Sequence, residues 1–416
     1  MGLLELAVIN AGELVTCSGP PGPGGASSLG IIEDGAFIIR DGRISWVGTT
    51  KQYRSRAPWK AGKTLDAHGR LVTPGLVDPH TLLVYAGSRE DELERKVSGE
   101  SYASILRSGG GIIRTIRETR TESLAGIVRE SLGRLRQLVA NGVTTVEVKT
   151  GYGGSLKDEI KMLRAIAALG EAGSAEVLST FLGPHARPPE FKRSRDYVDH
   201  VVGVMLPAIA RSAWRPSFSD CFCEEGAFTP AECLRYLRAS AGLGLVRKIH
   251  ADEFHDSGGA SLSAQTGCVS ADHLGNSNRD GLEQMAEKKV TAVLLPMTSQ
   301  FSGIRYADAR KIADAGCDVA LGTDLSPNSW VESPQLVMSV ACNELKMTPA
   351  QALMGFTRNA ARALGRQDIG RIAVGSSADF VVHRVPSYRF LSYRVGGSYV
   401  DSVFKRGKPI YSSGEG

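Results

Sequence analysis

Residues 243–273 read LGLVRKIHADEFHDSGGASLSAQTGCVSADH. Two short apolar runs, LGLVRKIH (243–250) and CVSADH (268–273), each stop on a histidine. A run of this length bounded by polar and glycine-rich sequence is the signature of a strand buried on both faces. The same unit recurs on either side. LVTPGLVDPH (71–80), VTTVEVKT (143–150), AEVLSTFLGPH (175–185), SFSDCFCEE (217–225), KVTAVLLPM (289–297) and CDVALGTD (317–324) complete a set of eight candidate strands. Helical patterns fill most of the intervals. Leu124, Val128, Leu132, Leu135 and Leu138 step at helical spacing through 121–140. Thr229-Pro230-Ala231-Glu232 and Thr348-Pro349-Ala350-Gln351 each offer an N-cap, a proline at the first helical position and a capping-box partner. Strands alternating with helices imply parallel βαβ units, and eight of them imply a (β/α)8 TIM barrel; an open doubly wound sheet is the rival arrangement.

The two ends of the chain read differently. LELAVIN (4–10), GAFIIRDGRISWVG (35–48) and KTLDAHGRLV (63–72) are β-rich, with the Pro/Gly/Ser-rich stretch SGPPGPGGASS (18–28) between the first two. Asp41-Gly42 between two such runs predicts a hairpin. SSADFVVHRV (376–385) and GGSYVDSVFKRGKPIYS (396–412) have the same character. The expectation is an α/β chain in two parts: a barrel over 70–366, and a small β-sandwich built from both termini, 1–69 plus 367–416.

Composition narrows the function classes. Of 416 residues, 42% are hydrophobic and 22% charged, an ordinary globular balance. Net charge is only +5 and no dense Lys/Arg tract is interleaved with aromatics, so no nucleic-acid partner is expected. No apolar run reaches the ~18 residues of a membrane span, and MGLLELAVINAGELV lacks the basic start of a signal peptide. The seven cysteines are dispersed with no C-x-x-C pair, as in a reducing compartment. A cytoplasmic setting is expected.

In a barrel the reactive groups stand at the C-terminal ends of the strands. Those ends carry His80, Lys149, His185, Glu224, Glu225, His250, His273 and Asp324. Four of the eight histidines of the chain close a predicted strand. Imidazoles and a carboxylate converging in one mouth make a divalent metal site. His80, His250 and Asp324 supply two nitrogens and one oxygen and leave a position for water, a set suited to zinc, iron or manganese. Glu253, three residues after His250, is placed to move a proton from water to a leaving nitrogen, or is simply a solvated carboxylate in the first turn of a helix. His273 can polarise a carbonyl or steady the water. On the residues alone, Arg89 reads as an ion-pair partner and Tyr102 as a half-buried packing residue.

PGLVDPHT (74–81), VEVKTGYG (146–153), FLGPHARPPE (181–190), FCEEGAF (222–228), KIHADE (248–253), DHL (272–274), LGTD (321–324) and FTRNAARALG (356–365) resemble, in this order, the amidohydrolase superfamily. With AGSRE (86–90), GGGI (109–112) and EIKMLR (159–164), the set is most similar to the imidazolonepropionase branch, which hydrolyses 4-imidazolone-5-propanoate to N-formimidoyl-glutamate. The resemblance covers nearly the whole chain and implies a barrel with a β-sandwich. It implies one divalent metal, Zn or Fe, on His80, His250 and Asp324, and catalysis by Glu253 with His273 and Asp324. It implies substrate contacts from Arg89, Tyr102, Tyr152, His185 and Ser326. The partner is then a small heterocycle bearing a carboxylate, for which Arg89 offers a planar fork. Fold-family analogy also implies a homodimer. In this branch Lys149 is not a metal-bridging carbamate, and Glu147 or Glu224 is expected to hold it.

The chain departs from the branch at three points. Its first barrel strand should end in His-x-His and instead reads His80-Thr81-Leu82, and leucine has no ligating atom. The expected Asp-x-Asn-Pro is Asp324-Leu325-Ser326-Pro327, and Gly275 stands where an acid often follows His-Leu. Three readings follow: a hydrolase with a three-ligand metal site, to which His273 can swing in as a fourth ligand, a relative turned to another small heterocycle with altered or no metal dependence, or a binding protein without catalysis. The long connection 81–117, holding Arg89, Tyr102 and the GGGI stretch, is expected to act as a flexible lid.

Overall fold

The computed structural model describes residues 6–20, 25–55, 62–100 and 102–414. The first five residues, the middle of the Pro/Gly-rich stretch and the Tyr102 side chain lie outside it. Residues 71–80, expected as one strand, form two. Leu71–Pro74 pairs antiparallel with Phe380–His383 and in parallel with Leu6–Val15, whereas Leu76–Thr81 opens the parallel sheet. Gly75 is the joint. A Cβ there would stand 2.3 Å from Thr144 Oγ1, so no side chain fits where the chain passes from one sheet to the other.

The parallel sheet is the barrel. Its strands are Leu76–Thr81, Val143–Lys149, Glu176–Phe181, a fourth in two short pieces (Phe218–Ser219 and Phe222–Cys223), Val246–Ala251, Ser270–His273, Thr291–Leu294 and Val319–Leu321. Each pairs with its neighbour in chain order. Closure occurs just past the eighth strand, through a parallel bridge between Thr81 and Leu325. Leu82 N–H donates to Leu325 O at 3.0 Å and Asp324 N–H to His80 O at 3.1 Å. The ring is therefore sealed beside His80 and Asp324. The fourth strand differs from its expected span, 217–225, because residues 220 and 221 between its two pieces carry no ladder of their own.

The second sheet runs in the order Lys408–Ser412, Val400–Lys405, Phe380–His383, Leu71–Pro74, Leu6–Val15, Ile31–Arg40 and Arg43–Thr49, with Thr64–Asp66 added alongside Leu6–Val15. Asp41 and Gly42 form its hairpin turn with φ of 50° and 70°, as a type I′ turn requires. Phe380 stacks on Phe404 at 4.3 Å and meets Phe37 edge-on at 5.1 Å, so residues from both ends of the chain share one small core. Among the barrel helices, Leu124–Ala140 is capped by Ser123, and the capping boxes of Thr229 with Glu232 and Thr348 with Gln351 are both formed.

The connection after the first strand is helical where a loose lid was expected. It holds Asp91–Val97, Tyr102–Arg107 and Gly111–Thr121. Gly111 is buried as the first residue of its helix, and its N–H donates to Glu92 Oε1 at 2.7 Å. No helix of the described residues is long and apolar enough to cross a membrane.

Candidate metal centre

His80 is the last residue but one of the first barrel strand, His250 lies in the fifth and His273 ends the sixth. All three are buried, and one nitrogen from each lies within 4.8 Å of the others. Ring centroids are 4.6 Å apart for His80 and His250 and 5.2 Å for His250 and His273. The outer nitrogens are fixed by carboxylates. Asp272 Oδ2 stands 2.6 Å from His80 Nδ1 and Asp220 Oδ1 stands 3.1 Å from His250 Nδ1. A carboxylate only accepts, so each Nδ1 carries a hydrogen, and in a neutral ring the lone pair then falls on Nε2. His80 Nε2 has no hydrogen-bond partner although buried, and Asp324 Oδ1 lies 3.6 Å from it. Thr298 donates its hydroxyl to Asp324 Oδ2. Burial, with the charge of Lys149, holds the His80 imidazolium well below the ordinary range, which keeps the ring neutral. The orphaned His80 Nε2 lone pair, close to two further imidazoles and a carboxylate, fits a divalent cation of the zinc or iron class.

The floor of the centre is a buried ion network. Lys149 Nζ reaches Glu147 Oε1 at 2.7 Å and Asp220 Oδ2 at 2.8 Å, and Lys248 Nζ reaches Glu147 Oε2 at 2.6 Å and Pro79 O at 2.7 Å. Burial would raise the Asp220 and Asp272 carboxyls. The charges of His250 and Lys149 on Asp220, and of Lys248 and Lys149 on Asp272, overcome it and hold both below the ordinary range. Lys149 is likewise pushed down by burial, but Asp220, Glu147 and Asp272 raise it overall. It is a fully paired cation with no vacant nitrogen to modify. Glu147 is the expected partner; Glu224 is not. Glu224 accepts from Phe254 N–H at 2.8 Å and from His255 at 3.0 Å.

Glu253 and the ring contacts complete the mouth. Glu253 Oε2 lies 3.7 Å from His273 Nε2. Burial, helped by Asp324 and Glu224, raises its carboxyl well above the usual range, so the solvated-helix reading does not apply. A narrow cleft opens beside Glu253 and His273, walled by Leu294, Pro296 and Ile304. His185 is half-buried, 5.8 Å from the His250 ring and 5.4 Å from that of Tyr152. Gly151, at φ 111°, leaves it room, since a Cβ there would meet His185 Nδ1 at 2.9 Å.

Arg89 is buried rather than superficial. Its Nε has no hydrogen-bond partner, and Glu92 Oε2 stands 3.9 Å away. Ser326, in the loop that follows Asp324, exchanges backbone hydrogen bonds with Ser329. Lys96 donates to Asn328 Oδ1 at 3.0 Å, which ties the helix that follows Arg89 to that loop. Leu82 is buried in the main apolar core. The structure thus gathers His80, His250, His273, Asp324 and Glu253, with His185 and Tyr152 adjoining. No contact links Arg89 to the histidine cluster among the described residues. Sequence reasoning missed Asp220, Asp272, Lys248 and Thr298. The available signal was charge inside otherwise apolar strands: Lys248 and Asp272 interrupt KIH and ADH.

Residues 243–410 match the family described as "Amidohydrolase family". The chain is 44% identical to an imidazolonepropionase of Geobacillus sp. (strain WCH70), over 98% of each chain. It is 42% identical to the imidazolonepropionase of Parabacteroides distasonis, over 97% of this chain and 98% of that one. Among solved structures, E. coli guanine deaminase superposes with TM-score 0.74 at 18% identity, covering 98% of this chain and 99% of that one. An adenosine deaminase from Xanthomonas campestris, with bound zinc, gives 0.70 at 18%, covering 98% and 93%. The two structures speak for the fold. The full-length identity to the first two relatives speaks for more: the chain belongs to the imidazolonepropionase family of the amidohydrolase superfamily, hydrolases of C–N bonds in cyclic amides.

Proposed function

We propose that the protein hydrolyses 4-imidazolone-5-propanoate to N-formimidoyl-glutamate. The observation that carries this reading is the buried imidazole cluster, with an orphaned His80 Nε2 facing Asp324 and with Glu253 beside it. His80, His250 and Asp324 would hold one divalent ion, zinc or iron, which supplies Lewis acidity toward the ring carbonyl and toward water.

The remaining work falls to side chains. Tyr152 and His185 present flat faces to the imidazolone ring, and Arg89 offers its guanidinium to the propanoate carboxylate. Ser326, in the loop after Asp324, offers its hydroxyl to the substrate. Glu253 accepts a proton from the attacking water as its oxygen bonds to the ring carbonyl carbon. The ring C–N bond then breaks, and Glu253 returns the proton to the departing nitrogen. One water is consumed, and the new carboxylate and the formimidoyl nitrogen account for its atoms. Near-complete coverage of the imidazolonepropionase relatives favours this reading over a different ring substrate or a binding-only role.

The test is turnover by the purified chain. Product should form with the natural protein and fail to form with Glu253→Gln, while the variant still binds substrate. Equal turnover by both would remove Glu253 from the mechanism, and none by either would remove the substrate assignment.

A further inference from the structure

The branch expects an imidazole two residues after His80, and this chain has Leu82 there. The mouth nevertheless holds three imidazoles within 4.8 Å, from His80, His250 and His273. We propose that His273 is itself a metal ligand in this protein, replacing the imidazole that Leu82 removes, so that His80, His250, His273 and Asp324 form the set. The inference rests on the metal reading above and concerns which side chains hold the ion.

Three observations carry it. The first is reach. Zinc takes nitrogen ligands at ~2.0–2.1 Å, so two ligands of one tetrahedral ion lie roughly 3.3 Å apart. Nitrogens already within 4.8 Å need only small ring rotations to share an ion. The second is the backbone. His273 and Leu274 sit consecutively at φ 77° and 60°, in the left-handed region that non-glycine residues avoid. Such strain persists only where the surroundings impose it. It turns the His273 ring inward at the strand end, 5.6 Å from the His80 ring and 5.2 Å from that of His250. The third is commitment. The Glu253 carboxylate, at 3.7 Å, stands outside hydrogen-bonding reach of His273 Nε2, so that nitrogen is not tied to Glu253. Glu253 then carries proton transfer without imidazole help.

The experiment counts imidazoles on zinc-loaded, full-length protein by X-ray absorption at the zinc edge. Three imidazole nitrogens are expected. Zinc bound by two would overturn this inference and leave the metal reading intact, whereas no zinc bound after re-supply would overturn both. A second arm measures zinc affinity by competition with a chelator. His273→Ala should weaken it about tenfold or more, the scale on which even outer partners of a metal act. Adding Leu82→His to that variant should restore it. Unchanged affinity in His273→Ala contradicts the proposal. The count on the natural chain decides the matter even if a variant fails to fold.

Discussion

His80 and His250 each owe their aim to a carboxylate behind the ring, and a buried lysine stands beside each carboxylate. Asp272 fixes His80 and Asp220 fixes His250, while Lys149 stands within 3.5 Å of Asp272 and 2.8 Å of Asp220. This predicts that Asp272→Asn, which keeps the shape but can donate to His80 Nδ1, lowers zinc affinity about 10–100-fold, measured by chelator competition. Glu253→Gln should behave oppositely, keeping zinc while losing roughly 10²–10⁴-fold in kcat. Arg89→Ala separates a third role. A hydrogen bond to a charged group contributes about 1.5–3 kcal/mol, so KM for the propanoate substrate should rise about 10–150-fold with a smaller change in kcat. Unchanged KM would exclude Arg89 from substrate binding. The sequence made His80, His250, His273, Glu253 and Asp324 legible because they stand at strand ends, where a barrel places its chemistry. It hid Asp220, Asp272 and Lys248. Their partners lie far along the chain, as Glu147 does for Lys248, and only barrel register brings them together.

Elements with local signals were readable in advance. The two capping boxes, the Asp41-Gly42 hairpin and the Leu124–Ala140 helix each depend on residues within a few positions of one another. Elements defined by distant contacts were not. Residues 71–80 look like one apolar run, and the break at Gly75 follows from Thr144 on the neighbouring strand. The connection after the first strand looked loose because glycines at 109–111 suggest a hinge. Glu92, on another helix, instead receives the Gly111 N–H. Gly75→Val should therefore destabilise the fold by about 1–3 kcal/mol or more, the cost of forcing atoms into a filled site. Thr229→Ala should cost only about 1 kcal/mol, as loss of an exposed cap does. Denaturant titration of both variants measures the contrast, and equal effects would contradict the joint assigned to Gly75.

At the scale of the molecule, barrel closure and metal chemistry meet at one seam. The Asp324 N–H donates to His80 O, so the last strand end is locked to the first where the ion would sit. The same seam carries the chain's main departure from its family, Leu82, whose N–H closes the ring through Leu325 O while its side chain joins the core. Architecture was legible because eight apolar runs and two β-rich ends have few ways to assemble. His273 was legible as a candidate in place of the ligand that Leu82 removes, but its closeness to His80 and His250 depends on distances no sequence displays. The most direct test of the whole account is turnover of 4-imidazolone-5-propanoate by the purified chain, before chelation, after it, and after zinc or iron is restored. Hydrolysis should be lost with the metal and return with it. Hydrolysis indifferent to chelation, or none from fully metal-loaded protein, would contradict this expectation.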